Sequence, residues 1–63
     1  MLLVALKALA GSNYVRADQV IAITVTDQYK CLVVLTGGIT VPCNESASDV
    51  MAKLGATTIT TGT

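Results

Sequence analysis

The stretch VIAITVTDQYKCLVVLTGGITV, residues 20–41, decides the fold. Val20 to Asp27 sets Ile21, Ile23 and Val25 on one face and Ala22, Thr24 and Thr26 on the other, with β-branched residues dominant, which is the pattern of a half-buried strand. After the polar break at residues 27–30, Cys31, Leu32, Val33, Val34 and Leu35 form a run that is apolar on both faces. Such a run belongs at the centre of a sheet, or in a strand whose second face meets another subunit. Gly37-Gly38 suits the positive φ angles of a two-residue hairpin turn, and Ile39-Thr40-Val41 supplies the return strand. In that register Thr36 pairs with Ile39, Leu32 faces Cys43, and Cys31 points to the opposite face. A three-residue loop, Thr36-Gly37-Gly38, would instead set Cys31 directly across from Cys43.

Downstream, Pro42 lacks an N–H, so the strand ends there or runs along a sheet edge. Ser46 begins a helix of about nine residues, with Asp49 three positions on in the form of a capping box. Ala47, Val50, Met51 and Leu54 share one stripe of that helix, and Gly55 is its natural stop. Residues 55–63 read as a loose threonine-rich tail beyond a single domain at residues 1–54.

Upstream, Ala17-Asp18-Gln19 turns the chain into the decisive stretch, and Tyr14-Val15-Arg16 extends briefly after a turn cluster at Gly11-Ser12-Asn13. Residues 1–10 read two ways. Leu2, Val4 and Leu6 alternate like a strand, while Leu2, Leu3, Leu6, Leu9 and Ala10 make a helical stripe. A strand is preferred because a short sheet needs a third or fourth member to cover its hairpin. Lys7 interrupts the apolar run and no positive region precedes it, so a secretion signal is not expected. No stretch has the roughly 18 apolar residues of a bilayer span, and the expected setting is cytoplasmic.

With 63 residues, 52% of them hydrophobic and 13% charged, the chain should fold as one domain. A core this small barely offsets roughly 1.5 kcal/mol of ordering cost per residue, so an external support is expected. Metal is unsuited to the role: there is no His, and Cys31 and Cys43 fit no zinc spacing. The cysteines are expected to stay free thiols, as in most cytoplasmic proteins. Self-association through the double-sided run Cys31, Leu32, Val33, Val34 and Leu35 is the remaining support.

Chemistry is sparsely represented. Without His, neither Cys has its usual catalytic partner; Asp18, Glu45 and Asp49 could converge, but a turn and a helix cap account for Asp18 and Asp49; and Gly37-Gly38 fits no phosphate-loop spacing. Asn44-Glu45-Ser46 matches a glycosylation acceptor that is irrelevant in a cytoplasm. No enzyme activity, cofactor or metal is expected. Four basic and four acidic residues cancel, which disfavours strong nonspecific binding to nucleic acid.

Residues 16–21, residues 33–38, Val41, and Glu45-Ser46 with Asp49-Val50 together resemble the small FlbD-type flagellar proteins. The resemblance spans about residues 1–54, with Ala17 where that family favours Pro and Gly37 where it favours Asn. It implies a non-catalytic accessory role in bacterial motility and supplies no active-site residues. A looser likeness, of architecture alone, is to Sm-like rings that bind single-stranded RNA, although those carry their helix first. On that reading Tyr14, Arg16, Tyr29 and Lys30 would combine stacking surface with positive charge. A structural protein, for example of a virus, is a third reading. The fold expected throughout is mainly β with one C-terminal helix. It would be a small, strongly twisted antiparallel sheet of three to five strands, packed against that helix, with a small Sm- or SH3-like barrel as its closed form.

Overall fold

In the computed structural model, which describes residues 2–57, the Ala- and Leu-rich amino terminus is a strand, β1 (Leu3–Ala8). Local propensity favours helix there, but Leu6 is fully buried and Val4 packs beside it, and this period-two burial wins over propensity. β1 runs antiparallel to β2 (Gly11–Arg16), from Leu3 opposite Arg16 to Ala8 opposite Gly11. The turn between them is Leu9-Ala10, and Gly11, at φ 130°, takes the strained exit. Gly11-Ser12-Asn13, expected to be the turn, is therefore the first half of β2.

A 3-10 turn at Ala17–Gln19 leads into β3 (Val20–Asp27), which forms an antiparallel meander with β4 (Lys30–Leu35) and β5 (Ile39–Cys43). The register of β3 on β4 shifts between Val20 and Ala22 and again between Val25 and Asp27. These irregularities loosen the simple alternation: Ile23 is half-buried against the core, while Ile21 and Val25 are exposed.

The β4–β5 register differs from the two-residue expectation. Leu35 pairs with Ile39 and Cys31 with Cys43, so the loop is Thr36-Gly37-Gly38. Thr36 is withheld from β5 because its N–H and its hydroxyl both donate to the Gln19 carbonyl, at 2.8 and 3.2 Å. Gly37 and Gly38, at φ 92° and 79°, then reverse the chain, with the Gly38 N–H donating to the Leu35 carbonyl at 3.1 Å. Pro42 sits opposite Leu32 on β5, an edge strand of this sheet. Two residues on, the Asn44 N–H points away from β4 and donates to the Lys7 carbonyl of β1 at 2.8 Å. Pro42 shares that outward orientation, so its missing donor costs no β4 rung.

Helix α1 (Ala47–Leu54) starts where expected: the Ser46 side chain accepts from the Asp49 N–H at 3.2 Å. Gly55 ends it in the left-handed conformation, at φ 70°. α1 packs against β1 and β3. Its Val50 joins Leu6, Val15, Cys31, Val33 and Cys43 in the buried core, with Ala47 and Leu54 at the margin. The protein is thus mainly β, with five strands in two antiparallel sheets and one C-terminal helix among the described residues. The loose tail expected from residue 55 falls largely on residues 58–63, outside the described residues.

Candidate self-association surface

The meander separates the apolar residues of β4 onto two faces. Cys31 and Val33 point into the chain's own core at 1% and 0% exposure, and Leu35 lies half-buried on the same side. Leu32 and Val34 occupy the other face. There the register aligns Thr24, Leu32 and Pro42 in one row and Ala22, Val34 and Thr40 in the next. These six side chains make a continuous surface without a charge. The nearest charged groups along the ladder are Asp27 and Lys30, opposite each other at its end. β-branched and threonine side chains lie low on a pleated sheet, and two such faces can stack about 10 Å apart.

Tyr14, Arg16, Tyr29 and Lys30 fall in two pairs on different elements. Tyr14 and Arg16 lie on β2, before the 3-10 turn, whereas Tyr29 and Lys30 lie at the β3–β4 turn, so all eight residues of β3 separate the pairs. Both tyrosines are exposed. The Arg16 guanidinium is held by Asp18 through two hydrogen bonds, at 3.0 and 2.6 Å, so its charge is already answered. Tyr29 is positioned by its backbone N–H, which donates to the Asp27 carboxylate at 3.4 Å.

Glu45, one of the three carboxylates weighed from the sequence, takes a structural role. Its side chain is 6% exposed between α1 and β1. The carboxylate accepts from the Lys7 N–H and from Lys53 Nζ, each at 2.8 Å, and Lys53 also donates to the Ala5 carbonyl at 3.0 Å. Burial alone would raise its pKa. The Lys53 ammonium and the Lys7 N–H outweigh burial and hold it below the ordinary carboxylate value. The only sequence signal was an acid directly before the helix cap and eight residues before Lys53.

Cys31 and Cys43 face each other across β4 and β5, and Cys43 Sγ donates to the Val41 carbonyl at 3.5 Å. Burial pushes both pKa values up, that of Cys43 to about 11, so both are thiols at neutral pH. Among the described residues no group of three or more His, Cys, Asp or Glu side chains could hold a metal ion. Likewise, no helix among them is long and apolar enough to cross a membrane. No family model, curated protein or solved structure matches this chain.

Proposed function

We propose that the chain is a non-enzymatic, cytoplasmic assembly module whose copies associate through the outer faces of β3, β4 and β5. The observation that carries this reading is the uncharged surface centred on Leu32 and Val34, on the face of β4 turned away from its own core. A second copy suits it because an identical uncharged face presents no unpaired charge to desolvate. Among the described residues the core contains six buried apolar side chains, so added burial stabilises the fold as well as the assembly. In this role the protein is an accessory or scaffold component, as the FlbD-type resemblance implies; a structural role in a virus particle would use the same surface. Both buried thiols being protonated supports a role without covalent catalysis.

Light scattering coupled to gel filtration tests the proposal. The wild type should elute at a multiple of 6.5 kDa, and Leu32→Lys, which leaves the core untouched, should shift the mass to that of one chain without loss of circular dichroism. A monodisperse wild-type mass near 6.5 kDa at micromolar concentration would overturn the proposal.

A further inference from the structure

The pairing of Cys31 with Cys43 has a chemical meaning independent of assembly. The β4–β5 ladder is regular from Leu35–Ile39 to Cys31–Cys43, so the two cysteines are direct cross-strand neighbours on one face. Both side chains lie in the core, at 1% and 3% exposure. Because the Asn44 N–H points outward to β1, the Cys43 N–H points inward to β4, making this a hydrogen-bonded pair with an expected Cα separation of about 5.5 Å. That lies within the roughly 4.4–6.8 Å Cα window of disulfides.

We propose that Cys31 and Cys43 are a native dithiol–disulfide couple, a site of two-electron oxidation by a low-molecular-weight disulfide such as oxidised glutathione. In the first step one cysteine, as thiolate, attacks a sulfur of glutathione disulfide. The glutathione S–S bond breaks, a protein–glutathione mixed disulfide forms, and one glutathione thiolate leaves and takes up the proton that the cysteine lost. The second cysteine then attacks the protein sulfur of the mixed disulfide and displaces the second glutathione, which takes up the second proton. Two protein thiols become one disulfide, and one glutathione disulfide becomes two thiols. Burial of both sulfurs makes the rate depend on local opening, for which β5, an edge strand of its sheet, is suited. The equilibrium is set by geometry, since the fold holds the two cysteines opposite each other and raises the effective concentration of one thiol for the other.

The full-length wild-type chain is equilibrated in a series of reduced-to-oxidised glutathione ratios, once in native buffer and once in urea, then alkylated and weighed intact. The expected product is a single chain lighter by two hydrogen atoms that takes up no alkyl group. Half-oxidation should fall at a ratio about tenfold or more on the reducing side of that found in urea. Equal ratios in the two conditions, a persistent glutathione adduct, or a disulfide linking two chains would each overturn the proposal. No substitution is involved, so a failure to fold cannot obscure the result, and a chain that proved monomeric would leave this test unchanged.

Discussion

Lys53 Nζ lies 2.8 Å from a carboxylate oxygen of Glu45 and 3.0 Å from the Ala5 carbonyl, so one ammonium on the last helix ties both the buried acid and the first strand. Lys53→Met should leave Glu45 buried with only the Lys7 N–H as its recorded partner. The expected cost is about 2 kcal/mol, as for a lost hydrogen bond to a charged group that is partly solvated. Urea unfolding should show a lower midpoint at unchanged slope. Adding Glu45→Gln to that variant should recover part of the loss, because the uncompensated charge is then gone.

The same pair sets an acid limit to stability. Glu45 has a lower pKa folded than unfolded, so below the ordinary carboxylate range the unfolded chain binds the proton more readily. Its contribution is fully present above that range and is lost as pH falls through the depressed folded value. Urea midpoints measured from pH 7 down to pH 3 should drop for the wild type, and Glu45→Gln should flatten that limb.

Ser46→Ala removes the side-chain acceptor of the Asp49 N–H and should cost about 1 kcal/mol. Gly55→Ala forces a Cβ into the left-handed cap and should cost about the same. The two can be compared by thermal unfolding, with far-ultraviolet circular dichroism reporting on α1.

Short single-stranded RNA should not bind. Arg16 is engaged by Asp18, and the two tyrosine–cation pairs lie on different elements, one before and one after β3 in the chain. Fluorescence anisotropy of oligo-U and oligo-A at low salt should stay flat to about 100 μM protein, beyond usual nonspecific affinities. Salt-sensitive binding that weakens in an Arg16→Ala, Lys30→Ala variant would revive a ring that gathers these cations from several copies.

What the sequence disclosed followed from patterns that act over a few residues. Period-two alternation located β3, the apolar run located β4, and Ser46 and Gly55 bracketed α1. What it hid depends on partners distant in the chain. Gly37-Gly38 signals a tight turn in either register, and the choice falls to Thr36, which the Gln19 carbonyl draws out of the hairpin. The first turn carries no turn residues at Leu9-Ala10; Gly11 supplies the unusual backbone one position later. The burial of Glu45 is not legible, because nothing local indicates that Lys7 and Lys53 will close over it.

The Glu45 anchor also orders events in time. Its bond to Lys7 joins residues 38 positions apart, and the Lys53 bond to Ala5 spans 48, whereas the β3–β4–β5 meander links only neighbouring strands. Closing the longer loops costs more chain entropy before any contact rewards it, so the meander is the expected folding nucleus and the anchor closes after the barrier. In a chevron experiment Lys53→Met should then speed unfolding while leaving the refolding limb nearly in place. The first strand, although synthesised earliest, would be the last to be secured, and the lifetime of the folded chain would be governed by how often that one latch releases.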